Sequence, residues 1–102
     1  MGDWTFLTKH GQAMLLLAND PELRLRDIAD ALEVTERTAF GIVADLTEAE
    51  YLIKERDGRR NRYTIQAHLP LRDAIVRERT VGEVLALLGD VDKPRRRGRS
   101  AR

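Results

Sequence analysis

Residues 25–63 read in a single order: helix, tight turn, helix, strand, basic turn, strand. Two short helices that cross steeply need small or apolar residues at the crossing. Ile28, Ala29, Leu32, Val34, Ala39 and Ile42 fall at such positions. Ala29 fits the crossing itself, where a larger side chain would push the helices apart. Leu32 and Val34 are placed to hold the turn against a core. The basic run Gly58-Arg59-Arg60-Asn61-Arg62 follows at the distance of a loop flanking the second helix of the pair. A chain patterned this way presents one helix outward, with a cationic hairpin beside it.

The flanking residues extend the reading. Trp4, Phe6 and Leu7 form an aromatic lead-in available for packing. Thr8 can cap a first helix to about residue 18, with His10, Ala13, Met14 and Leu17 recurring on one face. Asn19-Asp20-Pro21 stops it. Residues 23–25 read as a short extended piece, able to bridge to the hairpin. A second helix is expected over about 26–32, with Ile28, Ala31 and Leu32 inward. The turn Glu33-Val34 leads to Thr35, a good N-cap for a third helix over about 36–49 with Ala39, Ile42, Val43 and Leu46 as its stripe. Residues 51–57 and 62–66 read as strands around the Asp57-Gly58 turn signal, Tyr63 and Ile65 facing one way, Arg62 and Thr64 the other. Tyr51 and Tyr63 are expected to pack rather than stack on bases. A helix is expected over 71–79 with Leu71, Ile75 and Val76 inward. Thr80-Val81-Gly82-Glu83 is a capping-box pattern for one more helix to residue 88, and Gly89 can end it.

Composition narrows the function classes. The 102 residues amount to one domain with a modest core, expected over 1–90, followed by a disordered basic tail over 91–102. There is no cysteine, which removes disulfides, thiolate metal sites and cysteine nucleophiles and fits a cytoplasmic, nucleoid-associated protein. No signal-peptide pattern or membrane span of roughly 20 apolar residues is read. His10 and His68 are far apart and lack carboxylates at metal-ligand spacing, so no metal is expected. No nucleophile–base set or phosphate-cradling glycine loop stands out; neither an enzyme nor a cofactor is expected. The net charge of +1 conceals a division: residues 93–102 carry six cations and no acid, and the rest holds 12 basic against 17 acidic side chains, a balance of −5. Such a body meets a polyanion through its positive parts.

Together these features read as an α+β, mainly α fold: a winged helix-turn-helix, with a three-helix core, a two- to three-stranded wing and C-terminal helices. The function that follows is binding of double-stranded DNA, the third helix in the major groove and the wing on the minor groove or phosphates. Arg37 is the leading base or phosphate contact, since its guanidinium can pair bidentately with guanine. Thr35 and Thr38 can donate to phosphate, and Phe40 can meet a thymine methyl. Arg59, Arg60 and Arg62 are the wing cations. The plainer alternatives are an ion pair for Arg37 and a solvated charged turn for the wing. Leu71, Ile75, Val84, Leu85 and Leu88 are candidates for a homodimer contact, or for closing the monomer's own core.

The segment over residues 24–65, with VTERT at 34–38, IVADL at 42–46 and GRRNRY at 58–63, resembles the small MarR-like winged-helix transcriptional regulators of bacteria, as does WTFLT at 4–8. The resemblance implies a repressor or activator, usually dimeric. Where that family commonly has glycine, in the turn and before the Tyr-Leu of the first wing strand, this chain has Glu33 and Glu50. A left-handed backbone there would cost each glutamate roughly 1 kcal/mol or more. Phe40 and Gly41 stand where polar or basic side chains are usual. Two other readings of the same chain are a winged helix used for protein binding, and a sequence-blind nucleic-acid binder driven by its tail.

Overall fold

A computed structural model of the chain describes residues 4–88. Along them run α1 (Lys9–Asn19), α2 (Leu25–Leu32), α3 (Glu36–Glu48), β1 (Leu52–Asp57), β2 (Arg60–Ile65), a 3₁₀ turn (Ala74–Val76) and α4 (Val81–Leu88). The fold is α+β and mainly helical, with four α-helices and one two-stranded antiparallel sheet among the described residues. The basic tail expected over 91–102, the boundary expected near residue 90 and the helix stop at Gly89 lie outside them.

α1 is the central element. Ala13, Met14, Leu15, Leu16 and Leu17 are all buried, so the helix is covered on nearly every side rather than along one stripe. It meets α2, α3, β2 and α4. Thr8 caps it as expected, its hydroxyl accepting from the Gly11 N–H at 3.1 Å. The core around it is closed by Ile28, Ala29 and Leu32 of α2, Ala39, Ile42, Val43 and Leu46 of α3, Leu52 and Tyr63 of the hairpin, and Val81. Leu17, Ile28, Leu32 and Leu52 are fully buried, each contributing about 1.5–3 kcal/mol of transfer free energy.

α2 and α3 end in the same way. Glu33 has φ 61°, and the Glu33 and Val34 N–H groups donate to the Asp30 and Ala29 carbonyls at 3.2 and 3.0 Å. Glu50 has φ 70°, and the Glu50 and Tyr51 N–H groups donate to the Thr47 and Leu46 carbonyls, both at 3.0 Å. These are two Schellman closures with glutamate in the left-handed position that glycine usually fills. Each glutamate also places negative charge at the negative end of a helix dipole. At α2 a cation offsets this: Lys9 Nζ, from α1, donates to the Leu32 carbonyl at 2.8 Å.

β1 and β2 pair in register from Leu52↔Ile65 to Asp57↔Arg60. Only Gly58 and Arg59 lie between the strands, and Gly58 has φ 68° while Arg59 does not have positive φ. That is the dihedral pattern of a type II′ hairpin turn, which needs glycine first. Tyr63 is buried and Arg62 and Thr64 are exposed, in the alternation expected. The second strand begins two residues earlier than its sequence indicates, because the tight turn lets Arg60 and Asn61 join the ladder.

Four expectations are corrected. Residues 23–25 form no strand: Leu25 already belongs to α2, and the loop meets the hairpin at Pro21, whose carbonyl accepts from the Tyr63 N–H at 3.0 Å. Residues 71–79 form no α-helix. They make a loop with a three-residue 3₁₀ turn, held at its ends by the Pro70↔Thr80 bridge and the Leu71 N–H to Arg79 carbonyl bond of 2.9 Å. Ile75 is consequently 93% exposed and Val76 40% exposed, not inward. Trp4 and Phe6 do not pack into the core; they are 81% and 92% exposed. Within α2 it is Ala29 that is buried, with Ala31 only half-buried.

α4 opens with the expected capping box: the Thr80 N–H donates to Glu83 Oε1 at 2.8 Å and the Glu83 N–H to Thr80 Oγ1 at 3.2 Å. Its first turn is bonded to the segment after β2, through Val81 N–H to Leu69 and Gly82 N–H to Ala67 carbonyls, both 2.8 Å. No helix among the described residues is long and apolar enough to cross a membrane.

Candidate functional site

α3 begins at Thr35, whose hydroxyl accepts from the Thr38 N–H at 3.0 Å and donates to Thr38 Oγ1 at 3.1 Å. Thr35 is thereby committed to the cap, whereas the Thr38 hydroxyl proton has no described acceptor. Thr35, Glu36, Arg37, Thr38, Phe40 and Gly41 are all exposed, because the buried stripe of α3 runs along the opposite side through Ala39, Ile42, Val43 and Leu46. Arg37 has no ion pair with any described residue. The surface ion pair that is the plainer alternative for Arg37 is not formed with any described residue. Phe40 is 63% exposed, a large apolar side chain in an otherwise polar face.

The hairpin stands beside this face. A cleft of about 600 Å³ lies between α3 and the hairpin, lined by Phe40, Ala44 and Thr47 from α3, by Lys54, Arg59 and Asn61 from the hairpin, and by residues 22–25 of the α1–α2 loop and the start of α2. Arg60 and Tyr63 also line it. Burial pushes the Tyr63 phenol above its ordinary pKa, and a hydrogen bond with Asn61 draws it partly back. The hairpin cations are not equivalent. Arg59 faces the cleft and makes no side-chain bond to another described residue. Arg60 and Arg62 turn toward the α1–α2 loop, where Glu22 takes both: Oε1 from Arg60 at 3.4 Å and Oε2 from Arg62 at 3.2 Å.

The structure therefore gathers Phe40, Arg59 and Arg60 around one cleft, keeps Arg37 and Thr38 exposed on the helix that forms its other wall, and draws Arg62 aside. Lys54, Asn61 and Glu22 were not singled out from sequence. Lys54 carries a legible signal, since period-two alternation puts it on the same side of β1 as buried Leu52 and hence toward α3. Glu22 carries none, because its partners lie 38 and 40 residues away.

A second concavity, about 710 Å³, opens on another part of the surface. It is mostly apolar, with Phe6, Met14, Leu15, Leu71, Val84, Leu85 and Leu88 in its lining. His10 Nε2 and Asp45 Oδ2, 2.8 Å apart, tie α1 to α3 there. Leu71 and Leu85 pack partly against the monomer's own core. Leu87 and Leu88 are 84% and 41% exposed, and Ile75 stands outside the groove. Of the five residues considered for dimer contact, two thus serve the monomer at least in part. Comparison of the chain with family models, curated proteins and solved structures returned no match.

Proposed function

We propose that this chain is a winged helix-turn-helix protein that binds double-stranded DNA, with α3 entering the major groove and the β1–β2 hairpin acting as the wing. The observation that carries the reading is the shared cleft: Phe40 of α3 and Arg59 of the hairpin, which has no side-chain partner among the described residues, line one concavity, and the same helix carries Arg37 and Thr38 exposed, so that helix and hairpin can meet one duplex together. Arg37 supplies base or phosphate contact, Thr38 a donor to phosphate, and Phe40 an apolar surface for a thymine methyl. The MarR-like resemblance of residues 24–65 fits this assignment and extends it to transcriptional regulation.

The protein acts as a homodimer in this proposal. Phe6, Ile75, Leu87 and Leu88 are large apolar side chains left open to solvent near the apolar groove, and a second copy would cover them. A two-fold pair would set its reading helices about 34 Å apart, one turn of duplex.

Selection of bound duplexes from a random pool tests the function. The full chain is expected to enrich a common motif, and Arg37→Ala to lose the enrichment while keeping salt-sensitive affinity for any duplex. Equal recovery of unrelated sequences by both proteins would reassign the binding to the basic tail. No recovery at moderate salt would favour a winged helix that docks protein through Phe40.

A further inference from the structure

We propose that Glu22 is a specificity-determining residue of this interface: an internal counter-anion that holds two of the three wing arginines in reserve. The inference rests on the DNA-binding reading above and deepens it. Glu22 is placed by its neighbours, not by its own reach. Its N–H donates to Asp20 Oδ1 at 3.2 Å, the preceding carbonyl of Pro21 accepts from the Tyr63 N–H at 3.0 Å, and the following Leu23 is buried. The loop is thus fastened to the hairpin on one side of Glu22 and to the core on the other.

Residues 60 and 62 are two apart on β2 and project from the same face. One carboxylate meets both, an oxygen to each guanidinium. A carboxylate and a phosphodiester present the same thing to arginine: one negative charge and two acceptor oxygens that a guanidinium fork can grip. Glu22 therefore occupies the place a backbone phosphate would take. Its side chain is 40% exposed and those of both arginines are 49% exposed, so the pairs are solvent-screened and exchangeable rather than locked. Arg59, without such a partner among the described residues, is the cation that meets phosphate first. Arg60 and Arg62 follow only where the duplex sits close enough to replace Glu22. The result is a wing that grips arbitrary duplex weakly and keeps its remaining charge for a site in which α3 is seated.

The test uses the full chain, its Glu22→Gln variant and its Arg59→Ala variant, with a short duplex of mixed sequence and the duplex selected by the wild type. Glu22→Gln is expected to bind the mixed duplex about three- to tenfold more tightly at low salt and to steepen its log-log salt dependence by about 0.9–1.8, one to two further phosphates. The selected duplex gains less, so discrimination falls. Independently of nucleic acid, phenylglyoxal should modify Arg60 and Arg62 faster in Glu22→Gln, with Arg37 and Arg59 unchanged as internal references. Unaltered modification rates would overturn the proposal, as would faster modification with unaltered affinity and slope. If Arg59→Ala also leaves the slope of the wild type unchanged, the wing does not meet phosphate and the DNA-binding reading falls too. If Arg59→Ala flattens the slope while Glu22→Gln leaves it, only the role of Glu22 falls.

Discussion

Glu33 and Glu50 show how a single residue can work against the motif it completes. Both adopt positive φ, both close a helix, and neither gains a described side-chain partner for doing so. A left-handed non-glycine residue costs about 1–2 kcal/mol, and glycine returns about 0.4–1 kcal/mol of that through the greater freedom of its unfolded chain. The difference favours glycine. Glu33→Gly and Glu50→Gly are each expected to stabilise the protein by about 0.5–1 kcal/mol in denaturant titration. Thr35→Ala should cost about 1 kcal/mol, since it removes the oxygen that satisfies the Thr38 N–H. The conformation of both glutamates is fixed by the turns they close.

At the level of the element, the start of α4 is sensitive both to pH and to volume. The Thr80 N–H holds the Glu83 carboxyl below its ordinary pKa, with a smaller pull from Arg79. A lowered folded value means that the stabilisation is complete above the ordinary carboxylate range and is lost as pH falls through the lowered value. Protection of the amides at residues 81–83, corrected for the intrinsic exchange rate at each pH, should therefore fall in acid, and Glu83→Gln should remove that acid step while lowering protection near neutrality. One position earlier, a Cβ on Gly82 would stand 2.9 Å from Ala67 Cβ and 3.1 Å from the Ala67 carbonyl oxygen. Helix propensity favours Gly82→Ala by about 1 kcal/mol, but the backbone of residue 67 cannot withdraw, and overpacking of this kind costs about 1–3 kcal/mol. Gly82→Ala should be net destabilising. Gly41→Ala, where nothing lies within 4 Å, should gain about 0.5–1 kcal/mol by the same propensity. Thermal unfolding of the two variants separates close approach from helix propensity.

Across the whole molecule, two surfaces of opposite character stand out. One joins α3 to a cationic hairpin; the other joins the N-terminal lead-in to the segment after β2 through exposed apolar side chains. If the second is the dimer face, Ile75→Asp combined with Leu88→Asp should shift the protein to monomer in sedimentation velocity without loss of helicity, since neither side chain belongs to the buried core. Loss of dimer should also weaken binding to a two-half-site duplex more than to a single half-site.

Much of this was legible in the sequence because it is local. Thr8, Thr35 and Thr80 announce their helices by hydrogen bonds to residues three positions away, and Gly58 announces its turn by a φ that other residues avoid. The division of charge between body and tail is likewise a property of the chain alone. The folded arrangement decided the rest. Residues 71–79 carry an apolar pattern suited to a helix, yet the bonds that pin Pro70 to Thr80 and Leu71 to Arg79 force a loop. Trp4 and Phe6 look like core residues, yet α1 is already covered by α2, α3, β2 and α4. The three hairpin arginines are alike in sequence, and only the meeting of a loop and a strand some forty residues apart gives Arg60 and Arg62 the Glu22 carboxylate and leaves Arg59 without such a partner among the described residues. Helical period, caps and turns are encoded in neighbouring residues; the choice of partner for a charge or an apolar face depends on which distant surface arrives beside it.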